Sequence, residues 1–326
     1  MLKTSAAFAA LLDTEPARLL LTLSDGTRIG DGSRHILGTE NKDAIGLGDT
    51  ALLVALPPKP VIRSAEWSCG SNAGDDITLG STVAQQMKVE FDREALGGLN
   101  LADHTLIVEL AIDGIEETLR LAEVKVTQVD STDDTVTITA CDAMAWAFSD
   151  EYALDDAALG FNWERGVDGE TLLRAICGVC GVPLGTIGLP PVTLSLVDAS
   201  GYTYREIIAF LACLWGRFAR IDAQGRLVLQ WYTAADRPIG PERYYDGELT
   251  RADYEYTVGW LKCYVEPLEE TLEAGDISKA QGISIKCPWM TPERLNAVWA
   301  SIGGFTRCPT CVSSGIPGWN LATCCR

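Results

Sequence analysis

Residues 118–147 read TLRLAEVKVTQVDSTDDTVTITACDAMAWA, and their pattern decides the fold of the N-terminal half. Leu119 and Leu121 fall on odd positions, Val124 and Val126 on even ones. Alternation with a period of two marks a half-buried strand, and a change of phase marks an extra residue in the ladder. The switch at Ala122–Glu123 therefore predicts a β-bulge that bends the strand, as barrels and curved sheets require. After the polar Ser131–Asp134 turn, Val136, Ile138 and Ala140 resume the alternation. The pair reads as an antiparallel hairpin.

Upstream the same signal recurs. Residues 4–14 predict a short amphipathic helix with Phe8, Leu11 and Leu12 on one side. Leu19, Leu21 and Leu23 alternate up to a turn at Asp25–Gly26. Residues 30–60, with their Gly, Asp and Pro, hold only short strand candidates. Met87, Val89 and Phe91 alternate, as do Leu106, Val108, Leu110 and Ile112 before Asp113–Gly114. Residues 15–145 thus read as an antiparallel barrel or sandwich.

Downstream the period changes to that of helices. Asp168 is placed to cap a helix carrying Leu172, Leu173, Ile176, Cys177 and Cys180, ended by Gly181. Thr203 and Glu206 have capping-box spacing ahead of Ile207, Ile208, Phe210, Leu211 and Leu214. A hairpin follows, with Phe218 and Ile221 before the turn at Asp222–Gly225 and Leu227, Leu229 and Trp231 after it. Strands resume near Tyr254–Val265 and Gly282–Ile285. A last helix starts at Thr291–Pro292 and carries Leu295, Val298, Trp299 and Ile302.

Composition narrows the chemistry. The chain has 326 residues, 45 acidic against 26 basic side chains, and a formal charge of −19. Residues 1–150 alone carry −13. Such a chain repels phosphate backbones and anionic membranes, so no nucleic-acid binding is expected. His35 and His104 are its only histidines, which leaves little for imidazole catalysis or a multi-histidine metal site. No secretory leader is expected in MLKTSAAFAALL, and the longest uncharged apolar run, Ile207 to Gly216, is about half of what a membrane span needs.

No residue set rises to an active site. Cys177-Gly-Val-Cys180 lies late in its helix, where the dipole does not favour a thiolate, so both thiols read as structural. Cys308-Pro-Thr-Cys311 with Cys324-Cys325 supplies four thiols for zinc, but adjacent cysteines diverge and make a poor second pair. Asp75–Asp76, Asp133–Asp134 and Asp155–Asp156 read as turn residues. The Asp155–Trp163 stretch mixes acids with aromatics, as a linker or a binding loop does. Trp146, Trp215, Trp231 and Trp260 read as core. Catalytic, cofactor-binding and metal-binding residues are expected to be none, and cofactors none. All thiols up to Cys287 are expected to be reduced.

The order of these motifs resembles that of phage baseplate hub and tail-tip proteins. Gly80–Glu94, GSTVAQQMKVEFDRE, followed by residues 118–147 resembles their first tube-type domain, which ends on I-T-A-x-D-x-M. That motif is matched by Ile138, Thr139, Ala140, Asp142 and Met144. DGETLLRAICGVCGVPLG (168–185) is similar to the family's inserted helical unit. YTYREIIAFLACLWGRFARIDAQGRLVLQ (202–230) resembles its helix-then-hairpin ending in Gly-x-Leu-x-Leu, and ISIKCPWMTPERLNAVWASIGGF (283–305) resembles the second tube-type domain.

The resemblance implies an α+β chain with a tube-type antiparallel β-barrel and N-terminal helix over 1–147. It implies an inserted helical α+β domain over 148–240, an incomplete second β-barrel over 241–305 and an aberrant Cys-rich tail over 306–326. It further implies a non-enzymatic virion structural protein, assembled in the host bacterial cytoplasm. The expected partners are itself, as a homotrimeric ring, the tail tube, and distal tail or baseplate proteins, with no membrane span. Two other classes are open from sequence: a carbohydrate-binding adhesin using Trp163, Tyr202 and Tyr204, and a peptidoglycan hydrolase using acidic loop residues.

The last residues break the pattern. Residues 300–326 contain no Asp or Glu, where the chain average gives about four. In the resembled family the Gly-Phe segment leads through a strand to a D-P-x-L-x-x-G-D turn, absent here. Codons for Val312 to Thr323 can be chosen so that a shifted frame reads Val-Glu-Arg-Asp-Pro-Trp-Leu-Glu-Pro-Gly-Asp. The chain is therefore expected to leave the family's frame near Phe305–Cys308, with residues 306–326 poorly packed. Sequencing the gene past the Phe305 codon should find an alternate frame that encodes the Asp-Pro turn and then alternating strands. Two alternate frames without them would refute this, and stoichiometric zinc in purified protein would point to a cysteine site instead.

Overall fold

Alternating apolar residues put one face of each long N-terminal strand against a common core, and the computed structural model pairs these strands into a single sheet. The structure describes residues 5–11, 17–29, 61–68, 77–112, 115–186, 188–195, 197–232, 256–304 and 306–307. The fold is mixed α+β and dominated by antiparallel sheets. It divides into two units, a sheet unit (Leu2–Ser68 with Gln86–Asp142) and a helical unit (Cys69–Gln85 with Ala143–Arg326).

The sheet unit contains α1 (Ala6–Leu11), β1 (Ala17–Leu23), β2 (Arg28–Ile29), β3 (Ile62–Ser68), β4 (Gln86–Asp92), α2 (Arg93–Leu96), β5 (Thr105–Ile112), β6 (Thr118–Ser131) and β7 (Thr135–Cys141). The strand order is β2-β1-β5-β6-β7-β4-β3, antiparallel throughout. Phe8, Leu21, Met87, Val89, Phe91, Leu106, Val108, Val124, Val126, Ile138 and Ala140 fill its core, as the alternation predicts. No closed ring of strands is present among the described residues, where β2 and β3 are the outer strands.

Three bulges interrupt the ladder. Val108 pairs with Ala122 but Glu109 pairs with Arg120, which leaves Leu121 as the extra residue on β6. Leu121 and Ala122 are both buried, so the phase changes between them and not at the expected Ala122–Glu123. Alanine is small enough to read as belonging to either phase, which is why the pattern misplaces the switch by one residue. A second bulge leaves out Thr127, since Val126 pairs with Ala140 and Gln128 with Thr139. The third leaves out Arg63, between the Ile62–Phe91 and Ser64–Glu90 pairs. Its guanidinium donates to the buried Asp92 carboxylate at 2.7 Å. The other oxygen of Asp92 accepts the Ala95 N–H at 3.1 Å and so caps α2. One carboxylate ties a bulge to a helix end.

The helical unit contains α3 (Ala143–Trp146), α4 (Asp156–Leu159), β8 (Val167–Asp168), α5 (Gly169–Val179), β9 (Thr193–Leu194), α6 (Tyr204–Leu214), β10 (Phe218–Ile221), β11 (Leu227–Gln230), β12 (Tyr256–Thr257), β13 (Trp260–Val265), β14 (Glu270–Gly275), β15 (Ile283–Lys286), α7 (Pro292–Ile302) and β16 (Thr306–Arg307). The predicted caps are present: Asp168 accepts from Thr171, Thr203 and Glu206 form a full capping box, and Thr291 accepts from Arg294. β10 and β11 form the expected hairpin, and β8 pairs with β9 and β12 with β16. β13 lies between an antiparallel β14 and a parallel β15.

Residues 77–85 run beside β10 within this unit. Gly80 N–H donates to Arg217 O at 2.8 Å, Ala219 N–H to Ser81 O at 2.8 Å, and the Gln85 amide to Ile221 O at 2.6 Å. Arg205 donates from Nε to Thr82 O at 3.0 Å, and Ile77 and Leu79 are buried. The motif GSTVAQQMKVEFDRE is thereby split: Gly80–Gln85 serve the helical unit, and Gln86–Asp92 form β4 of the sheet unit.

Two features depart from the sequence reading. Trp146 is 42% exposed, because the single turn of α3 buries Ala143 and Met144 and turns Trp146 away. β14 is an unexpected strand: its Glu-rich sequence offers only Leu272 and Ala274 as an apolar face. Trp215 is buried, and Trp231 and Trp260 are half-buried. The strand candidates of 30–60, the Asp113–Gly114 turn and residues 308–326 lie outside the described residues. No helix among the described residues is long and apolar enough to cross a membrane.

Gly80 has φ +69, and a Cβ there would lie 2.2 Å from Cys213 Sγ and 2.7 Å from Ala209 O. Gly181 has φ +67 and open space around it. Gly181→Ala should therefore cost about 1 kcal/mol of backbone strain, whereas Gly80→Ala adds overpacking of about 1–3 kcal/mol. Denaturant melts of the two variants measure the difference, and equal losses would contradict the close approach at Gly80.

Candidate functional site

The acidic-aromatic stretch Asp155–Trp163 becomes the centre of a ring assembly. Asp155 caps α4 by accepting the Ala158 N–H at 3.1 Å. Asp156 is one residue further on and points its carboxylate elsewhere. One oxygen accepts the Tyr152 hydroxyl, and the other accepts Trp163 Nε1–H at 2.8 Å. Burial and the neighbouring carboxylate raise the Tyr152 phenol above its ordinary value, so it stays a donor.

From this lock the rings extend across the helical unit. Trp163 stacks on Trp289 with centroids 6.0 Å apart and an 11° interplanar angle. Phe210 of α6 meets Trp289 edge-on at 5.9 Å, and Tyr202 meets Phe210 edge-on at 5.1 Å. Tyr152 and Tyr204 are 6.1 Å apart, and Phe161 packs edge-on to Trp163 at 6.5 Å. Trp289 Nε1–H is itself satisfied by Val197 O at 3.0 Å. Trp163, Tyr202 and Tyr204, the three rings singled out from sequence, are thus in one assembly. Tyr204, Phe210 and Trp289 are buried, and Tyr152, Phe161, Trp163 and Tyr202 half-buried. Each ring gives a face or an edge to a neighbour, and pairs of this kind contribute about 0.5–1.5 kcal/mol each beyond area burial. Trp289 escapes sequence reasoning because it lies between β15 and α7, where no periodicity flags it.

The thiols are placed for packing. Cys177 is buried on α5, and burial pushes its thiol up to about 12. Cys180, the C-cap residue, is half-buried and is pushed up to about 11 by the same cause. Cys213, Cys263 and Cys287 lie in the core near one another, all raised by burial first and by mutual proximity second where it acts. Cys263 is pushed up to about 12. The described cysteines are free thiols. No three His, Cys, Asp or Glu side chains among the described residues are placed to hold a metal ion. Cys308, Cys311, Cys324 and Cys325 lie outside the described residues.

One histidine pairing has catalytic chemistry in outline. His104 Nδ1 is 2.9 Å from Ser24 Oγ. Ser24 is exposed in the β1–β2 turn, His104 is half-buried just before β5, and the nearby Asp25 spends its carboxylate on the Thr27 N–H at 2.9 Å. A serine nucleophile needs a base oriented by a third group in a sheltered site. His35 lies outside the described residues.

No protein-family model matches the chain, and no curated protein sequence matches it. Solved structures do. The 43 kDa tail protein of prophage MuSo2 from Shewanella oneidensis is similar over 94% of this chain and 87% of its own, at 12% identity and a TM-score of 0.47. The tail protein from Neisseria meningitidis MC58 is similar over 86% of this chain and 72% of its own, at 9% identity and a TM-score of 0.46.

The thiol placement gives a signed pH dependence. A raised thiol favours the neutral form in the folded chain, so the associated stability is complete below the unfolded-state value near 9 and fades as pH rises towards 11–12. Alkylation of Cys180 in the native chain should be at least about tenfold slower than that of free cysteine at pH 8. It should also accelerate about tenfold per pH unit up to near pH 11. Site-resolved peptide mass mapping measures this, and a Cys180 that reacts fully at neutral pH would contradict it.

Proposed function

We propose that this chain is a structural protein of a phage or prophage tail, a baseplate-hub or tail-tip component forming a ring between tail tube and tip. The succession of elements carries the reading. The β6–β7 hairpin ends on Ile138, Ala140, Asp142 and Met144, each with 0% exposure. Capped α5 follows, and capping-box α6 then leads into the β10–β11 hairpin on Gly225-x-Leu227-x-Leu229. That order is the one the sequence resemblance implies, and the motif positions are those that pack.

In this reading the bulged sheet of the first 147 residues belongs to a tube-type barrel, residues 148–240 are the inserted domain, and 241–305 begin a second barrel. Bulges at Arg63, Leu121 and Thr127 support a curved sheet. The −13 charge of residues 1–150 supports an acidic bore, which lets DNA pass by repelling its phosphates. A non-enzymatic role is supported by the engagement of Asp155 and Asp156 in a cap and a ring lock. The adhesin reading has less support, since Tyr204 is buried and Trp163 and Tyr202 each engage a neighbouring ring.

Sedimentation or mass photometry of the chain with tail-tube and distal tail partners should give a homo-oligomeric ring, a trimer. A chain that stays monomeric with those partners would overturn the proposal, and so would a ring with a basic bore.

A further inference from the structure

Beside α7 lies an open groove of about 330 Å³ whose lining includes Pro191, Val192, Leu214, Glu293, Arg294 and Ala297. Its size is at the lower end of the roughly 300–1,000 Å³ that accommodates small ligands, so it suits a pair of side chains. Pro191, Val192 and Ala297 give the wall its apolar surface.

Arg294 is the polar group that defines the site. It is half-buried, and burial lowers its guanidinium from the ordinary arginine value with no anion acting in the other direction. Its Nε donates to Leu214 O, the final carbonyl of α6. That bond uses one of five donors, and its two terminal nitrogens are without a hydrogen-bond or ion-pair partner among the described residues. By contrast Arg63, Arg120, Arg174 and Arg226 each meet a carboxylate. A guanidinium fork partly withdrawn from water, with its terminal donors unspent, matches a carboxylate bidentately. Glu293 also lines the groove, is exposed, and forms no ion pair with Arg294. It adds a repulsion that a single carboxylate tolerates and a polyanion does not.

We propose that this groove is a docking site for an acidic segment of a partner protein, in which an apolar side chain enters between Val192 and Ala297 and the adjoining carboxylate pairs with Arg294. The partner's chemistry follows from charge complementarity at Arg294 and from the apolar wall. The proposal deepens the partner side of the assembly reading, but its recognition step is testable without any ring.

The probe is acetyl-Leu-Glu-amide, titrated into the purified full chain and followed by tryptophan fluorescence and calorimetry. Saturable binding is expected, and acetyl-Leu-Gln-amide should bind at least tenfold more weakly. Arg294→Gln should cause a similar loss. Because Arg294 also holds the end of α6, Ala297→Phe, at an exposed position of α7, provides a second variant that fills the groove and leaves that bond in place. It should abolish binding while the thermal melt stays within a few degrees of the parent. Absence of binding, equal binding of the Glu and Gln peptides, or unchanged binding in Ala297→Phe would overturn the proposal. A chain that binds the peptide but never forms an oligomer would overturn the ring reading alone.

Discussion

Burial of α6 from Ile207 to Leu214 is the constraint around which the helical unit is built. Eight of its eleven residues are buried, and a helix that is apolar all round has to be enclosed by neighbours. Burying Ile207, Ile208, Phe210, Leu211 and Leu214 yields about 1.5–3 kcal/mol each, against about 1 kcal/mol for the N-cap. Enclosure therefore decides that the helix exists, and the Thr203–Glu206 box decides where it starts. The enclosing elements come close: a Cβ on Gly80 would strike Cys213 and Ala209 O, so glycine is required there, and one on Gly169 would lie a tight 3.3 Å from Leu211. At the other end, Arg217 N–H donates to Ala212 O at 2.8 Å and Arg294 takes Leu214 O, so the buried helix end is satisfied.

Legibility follows from whether a residue's neighbours are local. α5, α6 and α7 were readable because Asp168, Thr203 and Thr291 announce their starts within four residues of the first apolar position. β4, β5 and β7 were readable because each buries one face of a sheet, so the period of two is written in the chain. β14 was not. Its strand state rests on pairing Leu272 with Cys263 and Ala274 with Leu261, partners about ten residues back, while its glutamates favour other states. The allegiance of residues 77–85 is equally invisible, because it depends on carbonyls and amides of Arg217, Ala219 and Ile221 and not on side-chain pattern.

The site chemistry was legible only in part. The Asp155–Trp163 composition marked the right stretch, yet composition does not say that Asp155 turns to a backbone amide and Asp156 to two ring donors. The same division recurs across the acidic residues: Asp92 serves Arg63 and a helix cap, Asp168 caps α5, and Asp222 accepts from Gln224 and Arg226 in the β10–β11 turn. These aspartates are thus spent on nearby backbone and side-chain donors. A carboxylate engaged in this way is poorly placed to carry protons for a reaction, because moving its proton would release the cap or turn it holds.

β3, one of the two outer strands of the sheet among the described residues, shows how the same economy handles an edge. Among the described residues β3 pairs with β4 alone, and four consecutive residues, Arg63 to Glu66, are exposed. A flat edge of seven residues invites indiscriminate pairing. Here the Arg63 bulge adds local twist, and its guanidinium is drawn to Asp92, so the backbone cannot flatten without giving up a charge-assisted bond to a buried carboxylate. Glu66 opposite Lys88 adds charge to the same edge. Any strand that pairs with β3 has to match a kinked ladder and a charge pattern together. That demand favours one shaped partner over many flat ones, because a kinked and charged ladder gives a flat strand no continuous register to follow.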